Sequence, residues 1–232
     1  YYVLVGLESI NDKELLDYNK KSSVLNNTKS INICNNLGIN IMGMFIIALL
    51  IAITALYVFT FPKYKTEQVM MAFFGVIYVA VLMSFLYFIR ITPDGIFTIW
   101  LIMIASWGCD TCAYLAGVTM GKHKMAPILS PKKSIEGAIG GVIGAAAIGA
   151  IYGLAVGSHI ESVSNAPLYF AILCACAGLI SMVGDLVASA IKRNHDIKDY
   201  GNLIPGHGGI LDRFDSVIFT APIIYYLAVI LM

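Results

Sequence analysis

Six long apolar runs, at 41–61, 68–89, 95–119, 135–157, 166–191 and 216–232, constrain this chain more than any other feature. The hydrocarbon core of a bilayer, about 30 Å thick, is crossed by roughly 20 helical residues, and each run is that long or nearly so. Lipid offers backbone amides no partner, so a spanning segment must close its own hydrogen bonds. Runs this long and unalternating do that as helices, not as strands of a membrane barrel. The chain is 59% hydrophobic and 12% charged, against about 25% charged in a soluble domain. The expected fold class is all-α, a polytopic transmembrane helix bundle with a polar cavity facing the cytoplasm.

The net charge of +1 says less than how the charges divide between the two sides. Counting alternate sides puts Lys63 and Lys65, then Lys122, Lys124, Lys132 and Lys133, then Lys192, Arg193, Lys198 and Arg213 together, against Arg90 alone in the opposite short loops. Basic loops stay on the cytoplasmic side, so that end is expected to face the cytoplasm. The same count leaves 8–40 outside, unless a further crossing lies near 31–40. This polar, Asn-rich segment reads as an amphipathic surface helix followed by a loop. Residues 1–7 read as the tail of an apolar segment, so the chain is expected to be a fragment. Two regions are expected: 1–94, an N-terminal transmembrane region containing the polar segment, and 95–232, the catalytic transmembrane region. Cys109-x-x-Cys112 lies within an apolar run and has no second pair at matching spacing, so these cysteines read as small core residues. The Gly- and Ala-rich run 135–157 reads as an interior helix packed closely on its neighbours. Ser134 should be its N-cap, with Glu136 complementing the helix dipole.

Asp110 and Asp185 are the acids well inside apolar runs. A carboxylate there costs at least about 2.5–3.5 kcal/mol on insertion scales, which usually marks function. The structural alternative is a buried Asp satisfied by a Lys or Ser. Ser181, Asp185, Ser189 and Lys192 fall on one helical face, as do Ser106, Asp110, Tyr114 and Gly117, so two polar stripes should border a shared wet cavity. Asp212 and Asp215, three apart at the entry to the last run, share a face beside Arg213. With Asp185 they form a hard oxygen-ligand set suited to Mg²⁺. The plainer reading is a helix N-terminus decorated with acids. Glycines 206, 208 and 209 around His207 permit positive φ and close approach of N–H groups to an anion. Lys132, Lys133, Lys192, Arg193 and Lys198 could neutralise phosphates. Carboxylate-held metal, a glycine turn and clustered bases together suit phosphoryl or nucleotidyl transfer.

The stretch 189–215 carries Ser189-x-x-Lys192-Arg193, Lys198-Asp199-x-Gly201 and Pro205-x-His207-Gly208-Gly209-x-x-Asp212-Arg213-x-Asp215. It resembles the signature of phosphatidate cytidylyltransferases (CDP-diacylglycerol synthases). Trp107-x-x-Asp110-x-x-Ala113-Tyr114-x-x-Gly117 is similar to a second stretch of that family. So are Gly121-Lys122-His123-Lys124, Ser130-Pro131-Lys132-Lys133-Ser134-x-Glu136-Gly137 and Gly184-Asp185-Leu186-x-x-Ser189. The likeness covers about 90–232; before Arg90 it is one of hydrophobic character alone, and the family normally has more N-terminal transmembrane helix.

The resemblance implies an integral membrane enzyme, here of a bacterial plasma membrane with its active site facing the cytoplasm. It would transfer CMP from CTP to phosphatidic acid, giving CDP-diacylglycerol and pyrophosphate. Membrane lipids and a second copy of the chain in a homodimer are the other implied partners; nucleic acid is not among them. The candidate catalytic residues are Asp185, Asp212, Lys192 and Arg193. Ser189, Lys198, His207, Gly208, Gly209, Arg213, Lys132, Lys133 and Asp110 are candidates for substrate binding. Asp185, Asp212 and Asp215 are the expected ligands of Mg²⁺, with a second cation as a further option. Rival readings are a CTP-dependent polyprenol or phytol kinase, a cytidylyltransferase for isoprenoid lipids, and, in another class, a cation-coupled transporter.

Overall fold

The computed structural model describes residues 41–201, 203 and 208–231. The surface helix expected within 8–40 lies outside the described residues. Helix α1 is Ile41–Phe59 and α2 is Thr66–Arg90, the latter wound as a π-helix over Val76–Val81. Helix α3, Gly95–Met120, has a second π-helical turn at Ile104–Gly108. Strands β1, Lys124–Ala126, and β2, Ser130–Ser134, lead into α4, Ile135–Val156. Helices α5, Ala166–Asn194, and α6, Leu211–Leu231, complete the order. Among the described residues, α2 to α6 are long and apolar enough to cross a membrane, and α1 is a shorter apolar helix. The chain divides into two compact units between Val76 and Ile77. The second, 77–232, holds the long helices α3 to α6 and the hairpin.

Its core is where α3, α5 and α6 meet, around Leu101, Ile102, Phe170, Leu173, Val217 and Ile224, all fully buried. Cys109 and Cys174 are free thiols in the same core, as small apolar residues would be, whereas Cys176 is exposed. Helix α4 begins as the sequence predicts, with the Ser134 hydroxyl accepting from the Gly137 N–H at 3.1 Å. Its buried residues are Gly137, Gly141, Ala145, Gly149 and Gly153. At spacing four they form one narrow stripe of small residues, which lets backbones approach. A Cβ on Gly141 would lie 2.9 Å from the Cys109 carbonyl. The opposite face carries Ile139, Ile143, Ile151 and Leu154, all exposed. The expectation of an interior helix is therefore corrected: Gly and Ala content measures how closely one face packs, not how many faces are covered.

The loop 120–134 is a two-stranded antiparallel hairpin, with Lys124 opposite Ser134 and Ala126 opposite Ser130. Glu136 ties it down, accepting from the N–H of Lys122 at 3.0 Å and of His123 at 3.2 Å, with the His123 ring Nδ1 at 2.6 Å. Asp94, 7% exposed, joins the loop before α3 to the loop before α5. Its carboxylate accepts from the Ser162 N–H at 2.9 Å, the Ser162 hydroxyl and the Glu161 N–H at 3.5 Å. Burial pushes its pKa up, but these donors outweigh burial and hold it below the ordinary value.

Candidate active site

The two polar stripes meet. Asp110 and Tyr114 from α3, Lys132 and Lys133 from β2 and Asp185 from α5 line a cleft of about 620 Å³. Lys133 forms an ion pair with Asp185, and each side chain keeps about a quarter of its surface open, 23% and 26%. Asp110 lies within electrostatic range of Asp185, Asp215 and Lys133 and hydrogen-bonds Ser216. Asp215, 8% exposed, accepts the Ser216 N–H at 2.8 Å and is near both Asp185 and Asp212. Asp110 and Asp185 thus share Lys133, while the lysine whose charge reaches Asp215 is Lys192. One turn from Asp185, the buried Ser181 hydroxyl has no hydrogen-bond partner among the described residues. Surplus negative charge and an orphaned hydroxyl are what a site for a hard cation offers. Among the described residues, no three side chains of metal-binding type are already drawn around a single point.

Asp212 is placed differently. One oxygen receives the Lys192 ammonium at 2.8 Å, and the other receives the N–H groups of Tyr200 and Gly209 at 2.8 and 2.9 Å. Its side chain is 3% exposed and that of Lys192 12%. Lys192 also lies over the Tyr200 ring, 5.2 Å from its centroid, and the Tyr200 hydroxyl donates to the Ala188 carbonyl at 3.2 Å. Burial, then the charges of Asp215 and Asp212, raises the Tyr200 phenol above its usual range. The glycine turn wraps this carboxylate: Gly208 has φ +83°, and a Cβ there would lie 2.9 Å from the Asp212 carboxylate.

These helices, hairpin and acids lie inside one stretch of homology. A profile described as the cytidylyltransferase family matches residues 23–231. The chain belongs to this family. It is similar to the phosphatidate cytidylyltransferase of Bacillus subtilis (strain 168), 36% identical over 80% of this chain and 66% of that one. The phosphatidate cytidylyltransferase of Rickettsia bellii is 38% identical over 69% of this chain and 70% of that one. That of Rickettsia prowazekii is 35% identical over 81% and 87%.

Within this family framework, the structure brings Asp110, Lys132, Lys133 and Asp185 together at the cleft and joins Lys192, Gly208 and Gly209 around Asp212. Ser189 is half-buried on the polar face of α5. Arg193 is exposed, donating to the Ile197 carbonyl at 3.4 Å, and Lys198 and Arg213 are exposed. His207 lies outside the described residues. Sequence reasoning missed Tyr200, Ser216 and the contact of Trp107, whose indole N–H donates to the Arg213 carbonyl at 3.2 Å and fixes α3 against α6. Tyr200 was legible only as the spacer between Asp199 and Gly201, because its role is set by the backbone N–H it presents to Asp212.

Proposed function

We propose that the protein transfers CMP from CTP to phosphatidic acid, releasing pyrophosphate and forming CDP-diacylglycerol. The observation that carries this reading is the grouping of Asp110, Asp185 and Lys133 at one cleft, with Asp215 within electrostatic range of both acids, in a chain matched by the family over 23–231. A phosphatidate oxygen attacks the α-phosphorus of CTP in line, the bond to the β-phosphate oxygen breaks, and pyrophosphate leaves with that electron pair. The attacking oxygen is already an anion near neutral pH, so the site needs to position and neutralise more than to remove a proton.

Asp185 and Asp215, with Asp110, are the residues that would hold Mg²⁺, which when bound supplies neutralisation of the phosphate charge. Asp212, expected from sequence as a third ligand, has both oxygens engaged by Lys192, Tyr200 and Gly209; its proposed role is to hold Lys192 and the glycine turn in place. Lys132 and Lys133 face the cleft and would receive phosphate charge from the triphosphate or the lipid. The lysines of 120–134 and the bases of 192–213 support a cytoplasmic orientation for this end.

Purified protein incubated with phosphatidic acid and CTP labelled at the α-phosphate tests the reading. Label in the lipid with release of pyrophosphate is expected. Label left in CDP would make the chain a kinase, and neither product would leave the transporter reading in its place.

A further inference from the structure

The turn of the hairpin is apolar where a water-facing turn would be built from Gly, Asn, Asp or Ser. Residues 126–129 read Ala-Pro-Ile-Leu. Ile128 is 93% exposed, more than any other large hydrophobic side chain among the described residues. The legs of the same hairpin carry exposed Lys122, Lys124 and Lys132. A lone exposed isoleucine needs no explanation on a soluble protein. Here the legs run directly into two membrane-spanning helices, α3 ending at Met120 and α4 starting at Ile135. The hairpin also folds back across the cleft. Lys124 and Ser130 line it together with Tyr114, which lies six residues, or about 9 Å at 1.5 Å per residue, inside the end of α3. That depth keeps the hairpin near the headgroup layer, which is roughly 5–7 Å thick on each side of the hydrocarbon.

An apolar tip flanked by lysines at that level matches an anionic lipid surface, hydrocarbon edge against isoleucine and phosphate against ammonium. We propose that the hairpin reads the membrane interface: Ile128 dips into the bilayer while Lys122, Lys124 and Lys132 gather anionic lipid headgroups at the mouth of the cleft. The hairpin and the site are mechanically joined, since Lys133, on the same strand as Lys132, is the partner of Asp185. Anionic lipid collected by the hairpin is therefore presented beside the carboxylates. Only the kinetic test below rests on the proposed function.

Ile128→Trp adds an indole at the tip, read as the emission gained over the wild-type Trp100 and Trp107. In proteoliposomes this added emission is expected to be quenched by lipids brominated on their acyl chains and shielded from aqueous iodide. Quenching by iodide with no effect of bromolipid overturns the proposal. Shielding should be deeper with phosphatidylglycerol present than in phosphatidylcholine alone; equal shielding in the two overturns the headgroup part. Ile128→Asp should raise the KM for long-chain phosphatidic acid in vesicles about tenfold, the order of effect of one lost aliphatic contact. It should leave the KM for CTP and the KM for a water-soluble short-chain phosphatidic acid unchanged. An unchanged KM for vesicles, or an equal rise for the short-chain substrate, overturns the proposal. Wild-type protein without CMP transfer would defeat the function above, yet the fluorescence result would still decide the hairpin.

Discussion

Two lysine–aspartate pairs stand within the same half of the chain and are built to opposite ends. Lys192–Asp212 is closed. Both side chains are mostly removed from solvent, two backbone N–H groups satisfy the second carboxylate oxygen, and an aromatic ring covers the ammonium. Lys133–Asp185 is open: each partner keeps about a quarter of its surface in a cleft, with Asp110 competing for the lysine. A carboxylate with both oxygens engaged by three donors is an anchor and has little left to offer a substrate. One that shares its cation with another acid has charge to spare and a path for a ligand to reach it. The first acid fixes where the glycine turn and α6 begin; the second is available for chemistry.

The largest effect should come from the open pair. Asp185→Asn is expected to lower CMP transfer by at least about 10³-fold, the order of magnitude for losing a group that acts on transition-state charge. Melting temperature and membrane insertion should stay near wild type. Retained activity would break the contrast between the two pairs.

Asp212→Ala should instead act first on stability. It leaves the buried Lys192 ammonium and two N–H groups without partners, at a cost of about 3–5 kcal/mol. Lys192→Met in the Asp212→Ala background should restore part of the loss, because the stranded charge is removed. A larger loss in the double variant would show that Lys192 has another essential partner.

Asp94 serves as a satisfied carboxylate at the start of α3, the end opposite the hairpin. Asp94→Ala should cost about 1–3 kcal/mol through its unpaired donors with no change in the KM for CTP. Because its folded pKa lies below its unfolded value, its contribution is fully present above about pH 4. It fades as pH falls through the folded value. The gap in melting temperature between wild type and Asp94→Ala should therefore close on acidification and not on alkalinisation.

Two smaller changes sharpen the anchor. Gly208→Ala forces a Cβ onto positive φ and against the Asp212 carboxylate, and should cost about 1–2 kcal/mol. Tyr200→Phe keeps the ring over Lys192 and the N–H to Asp212 but loses the hydroxyl bond to Ala188. A loss of about 1 kcal/mol is expected, read by thermal melting.

The helical architecture was legible because each spanning run must satisfy its own backbone and bury its own apolar surface, so hydropathy alone marks it. Helix α5 was expected at 166–191 and runs Ala166–Asn194. Helix α6 was expected from 216 and starts at Leu211, one residue before Asp212. The polar stripes of Asp110 and Asp185 were legible through helical spacing, which says that residues share a face. The covering of α4 was not legible, because Gly content does not tell which neighbours use the small stripe.

Side-chain periodicity and motif spacing named the acids, the lysines and the glycines, since those choices are written into single residues. Which acid faces which cation depended on distances between helices far apart in sequence. Asp110 meets Asp185 across α3 and α5, while Asp212 is claimed by a backbone N–H at Tyr200 that has no letter of its own in the chain. Electrostatic partnership is a property of pairs in space, so the list of charged residues was determined locally, and its division into anchor and site was decided by the fold.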